Sequence, residues 1–408
     1  MKCRHCQTVL SHSVIDLGEM PPSNAYLTAS QLQHNEVTYP LKVKVCHNCF
    51  LVQTEDFTRA DDLFTADYAY FSSTSKSWLQ HAAKFSQQAS ERFDLGAESF
   101  VVELASNDGY LLRNFVAADI PCLGVEPTAA TADAAEALNI PQWRDFFGYA
   151  TSEQIKAEHG GADLIIGNNV LAHVPDINDF VAGAANLLKS TGTISFEFPH
   201  LLNLLRHCQF DTIYHEHFSY LSLLSVQKIV RRAALKVIDV MQLPTHGGSL
   251  RLYLAHQDDP RAPSANVDAI LQEEMDFGLT GMDAYAALQK EAEWIISELK
   301  TFLIAAKSNR QKVAGYGAAA KGNTLLNFAK ITPELLPLIA DAAPSKQGKF
   351  MPGSHIPIVS PEALIETQPD IVLILPWNIA PEIISNLTPK LPKHVEFFCA
   401  IPRLAAIN

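Results

Sequence analysis

No apolar run in the chain reaches the roughly 18 residues needed to cross a bilayer, and the first residues, MKCRHCQTVL, lack an apolar segment of signal-peptide length. Both absences point away from a membrane and make the cytoplasm the expected compartment. Blocks of basic residues are missing too. The 31 Lys and Arg are outnumbered by 44 Asp and Glu, for a formal net charge of -13. Phosphate-backbone binding draws on clustered cations, so this balance argues against a nucleic-acid surface. Low-complexity tracts and short-period repeats are absent as well. What is present is ample apolar material, 48% of 408 residues, which implies two or three domains rather than one core.

Cysteine is sparse, at seven residues, but four of them form a pattern. CRHC supplies Cys3 and Cys6, CHNC supplies Cys46 and Cys49, and the 39 residues from 7 to 45 separate the two knuckles. Each C-x-x-C turns tightly enough for both sulfurs to reach one ion, and two knuckles complete the tetrahedral four-thiolate shell preferred by structural zinc. A closed shell of this kind has no open position for catalysis and serves to fold a small N-terminal domain. His5, His12 and His47 lie nearby, but four thiolates already suffice. Cys122, Cys208 and Cys399 read as buried small residues.

Beyond the second knuckle the chain alternates. An amphipathic helix is expected from about Ser75. SFVVE then reads as a strand, ASNDG as a turn and YLLRNFVAAD as a helix, and the unit recurs at CLGVEP, at ADLIIGNNVLAHVPDINDFVAGAANLLKS and at GTISFEFP. This spacing predicts an α/β fold with a parallel, doubly wound sheet whose ligands bind beyond the C-terminal strand ends. GGSLRLYLAH, residues 247–256, reads as a strand opening a different region. A secure helix, with Leu288, Ala292, Ile295, Leu299 and Phe302 at three- to four-residue steps, runs from Asp283 to about Arg310 and links two halves. Further strand-turn-helix units at KVAGYGAAAKGNTLLNFA, LPLIADAAPSKQGKFMPG and PDIVLILPWNI imply a second Rossmann-like layer.

The two halves differ in what they lack. The first has no G-x-G-x-x-G turn for a pyrophosphate: Ala105 and Asn107 stand where glycines would be expected, with acids flanking the turn. Glu103 and Asp108 suit a ligand with cationic groups and no phosphate, as S-adenosylmethionine is with its ammonium and sulfonium. Ser106 lies in the same loop, and Glu126, 23 residues after Glu103, ends the next strand where an acid accepts bonds from ribose hydroxyls. Asn168 falls over the same cleft, to contact cofactor or substrate or to serve only a turn. The second half reverses the chemistry. GYGAAAKG places Gly315, Gly317 and Gly322 with Lys321 at the start of a helix, where amides, a positive helix end and a cation converge on phosphate. It is no Walker A motif, since Ser or Thr does not follow the lysine. Lys346 and Lys349 add charge beside it.

Together, CRHC…LGEMPPSNAYL…CHNC, YAYFSS, ELASNDGYLL, GNNVLAHVPD, YHEHFSYLS, HGGSLR and GYGAAAKG resemble, in order and along essentially the whole chain, the S-adenosylmethionine-dependent C-methyltransferases that act on nucleotide-linked deoxy keto-sugars. The resemblance implies a zinc-binding domain over residues 1–70, a Rossmann-like methyltransferase domain over 71–240 and a Rossmann-like sugar-nucleotide domain over 241–408. It implies methylation at C3 of a 4-keto sugar on dTDP, although related members methylate C5, and GDP is an alternative nucleotide.

The stretch FDTIYHEHFSYLS packs Tyr214, His215, Glu216, His217 and Tyr220 together. A hydrogen beside a ketone is removed by a base, and the resulting enolate needs an oxyanion partner; histidine, with a pKa near 6.5, suits the first role. The resemblance makes His217 the base, Glu216 its orienting acid, Tyr214 the donor toward the enolate oxygen, and Tyr68 a group closing on the sugar. His215 is the alternative base and a substrate contact. On a strand it would share a face with His217, whereas on a helix Tyr214 and His217 would meet. Metal binding by H-E-H is disfavoured, since methyl transfer to an enolate needs no Lewis acid. A nicotinamide-dependent oxidoreductase and a non-catalytic zinc-ribbon module remain as other classes, and nothing in the sequence sets the oligomeric state.

Overall fold

A computed structural model describes residues 1–55 and 71–407. The N-terminal sheet is antiparallel. Its strands His12–Met20, Tyr39–Val45 and Val52–Thr54 are joined at the edge by Ser219–Tyr220, from far along the chain. In YPLKVKV the buried Leu41, Val43 and Val45 alternate with Lys42 and Lys44, as a sheet with one buried face requires. The two cysteine knuckles share one local trace. Gln7 N–H donates to Cys3 O and Phe50 N–H to Cys46 O, at 3.0 and 2.8 Å, and Gln7 and Phe50 both sit at φ 62°.

The central sheet runs Leu235–Leu243, Ser249–His256, Leu188–Pro199, Ala162–Asn168, Val101–Leu104, Cys122–Val125, Gln142–Trp143. Val101–Leu104 and Cys122–Val125 are buried throughout, which is why they read as continuous apolar runs. Two expectations need correcting here. Ser249–His256 does not open a different region; it lies inside this sheet, between Leu235–Leu243 and Leu188–Pro199, antiparallel to both. The sheet is therefore parallel only in part. The cause is local: Leu243 pairs with Ser249, and so short a connection can join only antiparallel strands. The helix expected over YLLRNFVAAD is also shorter, Arg113–Val116. The helix from Ser75 forms as Lys76–Phe93, with the Ser75 side chain accepting from Trp78 N–H.

The C-terminal sheet runs Ile358–Val359, Ile339–Ala340, Val313–Tyr316, Ile371–Ile374, Glu396–Cys399, Ala405–Ile407, parallel except for the last strand. Its second unit is a short strand followed by turns, without the expected helix. The helix Asp283–Ser308 buries Leu288, Ala292, Ile295, Leu299 and Leu303. One hydrophobic cluster runs from Val14, Ile15 and Val43 through this helix to Ile339, Ile371 and Leu373, so the helix cements the two outer sheets. Among the described residues no helix is long and apolar enough to cross a membrane.

Candidate active site

The acids stand at adjacent strand ends of the central sheet. The turn after Val101–Leu104 puts Ala105, Asn107 and Gly109 in the left-handed region, at φ 55°, 51° and 73°. Two positions that glycine usually fills are thus taken by side-chain-bearing residues, and a Cβ on Gly109 would meet Ile140 Cδ1 at 2.3 Å. Glu126 holds this turn: its carboxylate accepts from Asn107 N–H and Thr128 N–H, each at 2.9 Å. Two backbone donors therefore occupy the acid expected to receive ribose hydroxyls, which leaves its remaining lone pairs for a ligand. Ser106 Oγ donates to Gln142 Oε1 at 2.8 Å. The segment before the Lys76–Phe93 helix caps the turn, with Ser72 N–H on Asn107 Oδ1 at 2.9 Å and Ser73 N–H on Asp108 Oδ2 at 3.1 Å.

Glu103, Asp108 and Asn168 are buried, yet Glu103 Oε2 and Asp108 Oδ1 have no hydrogen-bond partner among the described residues. Burial pushes the Glu103 carboxyl well above its usual range, Tyr110 opposes the shift, and Asp108 and Glu126 add to it. Unpaired buried acceptors beside one another are costly unless a donor-rich cation completes them. This donor set fits the ammonium end of S-adenosylmethionine. Trp78 stacks 5.9 Å from Tyr110 and 4.9 Å from His81, walling the same end of the sheet.

Residues 213–218 form a turn, neither strand nor regular helix. His217 N–H donates to Tyr214 O at 3.0 Å, and the Tyr214 and His217 rings lie 4.0 Å apart. The helix-like alternative is therefore the one adopted. His217 Nδ1 donates to Thr212 O at 3.0 Å, which fixes the tautomer and leaves the Nε2 lone pair as the basic site. Burial drives the His217 pKa well below the usual imidazole value, helped by His173, His246 and Lys321. His215 points elsewhere, its Nε2 donating to Tyr39 O at 3.3 Å in the N-terminal sheet. Glu216 accepts from Asn24 Nδ2 at 2.8 and 3.1 Å, so the PPSNAYL loop reaches the site. Tyr68 lies outside the described residues.

Several groups absent from the sequence expectations join the site. His173, from LAHVPD, stacks edge-on to His217 at 4.6 Å and donates to Glu216 O at 2.9 Å; burial lowers its pKa to about 4. Glu197, buried at the end of Leu188–Pro199, bonds Arg251, His81 Nε2 at 2.9 Å and Thr245 Oγ1 at 2.9 Å. Despite its burial, His81 and Arg251 hold its carboxyl down at about 2. An acid near the end of an apolar strand, as in SFEFP, is the local pattern that Glu103 also shows. His246, at φ 53°, contacts Asn169 Nδ2 at 3.1 Å through Nε2.

The C-terminal domain arrives on the other side. Gly317, at φ 91°, follows the strand Val313–Tyr316, and a Cβ there would meet Pro376 at 2.3 Å. Lys321 Nζ donates to Asn378 Oδ1 at 2.7 Å and sits 4.5 Å above the Trp377 ring. Burial lowers its pKa to about 8, against the pull of Asp211. Trp377 Nε1 donates to Asp211 Oδ2 at 2.7 Å, and Thr324 Oγ1 to Ile213 O at 2.8 Å, so this domain grips the segment leading into the Tyr214–His217 turn. Lys346 Nζ donates to Ala318 O at 2.8 Å, beside the same glycine-rich loop.

Against the central domain the four knuckle thiols converge. Cys3 and Cys49 sulfurs lie 3.5 Å apart and Cys6 and Cys46 sulfurs 3.4 Å apart, and all four fall within 4.8 Å of one another. Zinc–sulfur bonds of about 2.3 Å in a tetrahedron require sulfurs about 3.8 Å apart, so the donor set fits zinc. His5 is engaged by Asn178 Oδ1 at 2.7 Å, which leaves the shell to the cysteines. Cys122, Cys208 and Cys399 are buried, as expected.

A doubly wound sheet ending in buried acids, beside a four-cysteine zinc site, defines an S-adenosylmethionine-dependent methyltransferase, and the model described as "Methyltransferase domain" matches residues 77–240. More narrowly, the chain belongs to the C-methyltransferase family: it is 33% identical over 407 residues to C-methyltransferase NovU of Streptomyces niveus, covering 100% of this chain and 97% of that protein. The models "Putative zinc binding domain" and "C-methyltransferase C-terminal domain" match residues 3–64 and 244–402. Among solved structures, an S-adenosylmethionine-dependent methyltransferase from Clostridium acetobutylicum shares 12% identity over 48% of this chain and 95% of its own, with TM-score 0.36. Magnesium protoporphyrin IX methyltransferase from Synechocystis shares 13% over 44% and 79%, with TM-score 0.33. Both are too distant to bear on function. Family membership displaces the oxidoreductase and binding-module alternatives.

Proposed function

We propose that this C-methyltransferase acts in the cytoplasm on a nucleotide-activated 4-keto-deoxysugar, adding a methyl group to the carbon beside the ketone, C3 in preference to C5, with His217 as the base. The observation that carries the proposal is the His217 imidazole itself: Nδ1 is committed to Thr212 O, Nε2 is left basic, and Tyr214 packs against the ring. Burial keeps His217 neutral and therefore able to accept a proton at working pH.

S-adenosylmethionine, when bound, supplies an electrophilic sulfonium methyl and leaves as the neutral thioether. His217 Nε2 takes the proton from the carbon beside the ketone, and the electron pair of that C–H bond moves toward the ketone oxygen. The Tyr214 hydroxyl donates to the developing oxyanion. The enolate carbon then forms the new C–C bond as the methyl–sulfur bond breaks, and the His217 proton passes to solvent. Glu216, whose carboxylate is held by Asn24, is the acid assigned to orient the site. Glu103, Asp108, Ser106, Glu126 and Asn168 receive the methyl donor. Gly317 and Lys321 receive the substrate's diphosphate, dTDP in preference to GDP.

Replacing His217 with Asn tests this. Turnover of a dTDP-linked 4-keto-deoxysugar should fall about 10²- to 10⁴-fold, the usual contribution of a positioned base, while calorimetric binding of S-adenosylhomocysteine is retained. Retained turnover would remove His217 from the role. Titration with dTDP and with GDP separately decides the nucleotide.

A further inference from the structure

The strand Val52–Thr54 ties the metal site to the catalytic turn within three residues. Gln53 Nε2 donates to Cys3 Sγ at 3.3 Å, and Gln53 Oε1 accepts from Arg4 N–H at 2.9 Å. Gln53 is fully buried. On the same strand Val52 pairs with Tyr220 and Gln53 with Ser219. Thr54 completes the join: its N–H donates to Phe218 O at 3.2 Å, and its Oγ1 donates to His217 O, also at 3.2 Å. Arg4, flanked by the two cysteines of the first knuckle, reinforces the join from behind. Its guanidinium donates to Thr54 O at 3.2 Å and to Pro175 O at 3.0 Å, and it lies 5.3 Å from the Phe218 ring.

We propose that Thr54 is a positioning residue for His217, and that the strand Val52–Thr54 transmits the rigidity of the four-cysteine site to the catalytic turn. The proposal rests on His217 as the base. His217 belongs to a turn, which has no ladder of its own to fix it; the imidazole is aimed by Thr212 O, and the backbone that carries it is anchored by Thr54. Phe218 N–H on Ala172 O and His217 N–H on Tyr214 O hold the same backbone; loss of the Thr54 Oγ1 bond frees the His217 carbonyl, and displacements of about 1 Å can cost as much as 10²-fold in rate. The metal thus contributes to catalysis through placement, with no part in the chemistry of methyl transfer.

The test compares Thr54→Val, which keeps the shape and removes the Oγ1 donor, with Thr54→Ser, which restores it. In Thr54→Val, kcat should fall about tenfold, the effect of one lost hydrogen bond of ordinary strength, with KM and S-adenosylhomocysteine affinity kept and one zinc retained per chain. The ¹⁵N resonances of the His217 imidazole, recorded on the substrate-free, zinc-loaded protein and assigned with His217→Asn, should move in Thr54→Val and return in Thr54→Ser. Unchanged kcat and unchanged resonances in Thr54→Val overturn the proposal. So does a Thr54→Ser protein that behaves like Thr54→Val, since that marks packing alone. Should His217→Asn retain turnover, the base assignment falls by itself, and the resonances decide the anchoring on their own.

Discussion

At the level of single residues, the property with most consequence is the buried Glu103 carboxyl, whose Oε2 has no hydrogen-bond partner among the described residues. Burial holds its pKa well above the ordinary carboxylate range in the ligand-free protein, whereas an ammonium beside it favours the ionised form. The ligand therefore lowers this pKa on binding, and a proton leaves. Affinity for S-adenosylhomocysteine should rise with pH until the ligand-free pKa of Glu103 is passed, then level off, and the binding enthalpy should differ between buffers of unequal ionisation enthalpy. Glu103→Gln should weaken binding about 10- to 100-fold, the range for a hydrogen bond to a charged group, and flatten the pH profile. Wild-type affinity that is flat from about pH 5.5 to 8 would place the ammonium elsewhere. Residues of this kind were legible in the sequence, because an acid ending an apolar strand is a local pattern. Glu197 carried the same signature, but its partners His81, Thr245 and Arg251 come from three other segments, so only the fold shows that it is neutralised.

At the level of elements, strand-helix alternation revealed the central sheet, and the cysteine spacing revealed the knuckles. What stayed hidden was pairing between distant segments. Ser219–Tyr220 reads as the tail of YHEHFSYLS, yet it is an edge strand of the N-terminal sheet. Ser249–His256 reads as a new beginning, yet the turn before it folds it back into the central sheet. Pairing of this sort depends on chain geometry rather than on composition. It also gives metal removal a predictable reach. A chelator that strips the four thiolates should lower the melting temperature, since structural zinc contributes folding free energy directly. Amide hydrogen exchange should accelerate not only near the knuckles but also at 217–220, whose bonds run to Val52–Thr54, while strands Val101–Leu104 and Ala162–Asn168 stay protected. Unchanged protection at 217–220 in the stripped protein would mean that this segment is held without the knuckles.

At the level of the whole molecule, three sheets meet around one turn, and the outer two reach it by different means: the N-terminal sheet by backbone pairing, the C-terminal domain by Trp377 on Asp211 and Thr324 on Ile213. The methyl donor is assigned to the acids of the central domain and the nucleotide to the glycine-rich loop and Lys321 of the C-terminal one, so the two ligands should answer to pH through different residues. Lys321 is the group to follow. Burial depresses its pKa to about 8, so its charge is complete below that value and fades above it. A bound diphosphate favours the ammonium form and raises the pKa. Affinity for dTDP should therefore be greatest below about pH 8 and decline as pH rises through it, because binding must then take up a proton at Lys321. Any alkaline loss of S-adenosylhomocysteine affinity comes from the ligand's own ammonium and should be the same in wild type and in Lys321→Ala. Lys321→Ala should weaken dTDP binding about tenfold or more, the loss of a charge-assisted hydrogen bond, and remove the alkaline decline while leaving methyl-donor binding intact. Calorimetry of each ligand from about pH 7 to 9.5, on wild type and variant, separates the cases. If dTDP affinity declines equally in Lys321→Ala, another cation holds the diphosphate, and Lys346, already on Ala318 O beside the same loop, is the next candidate.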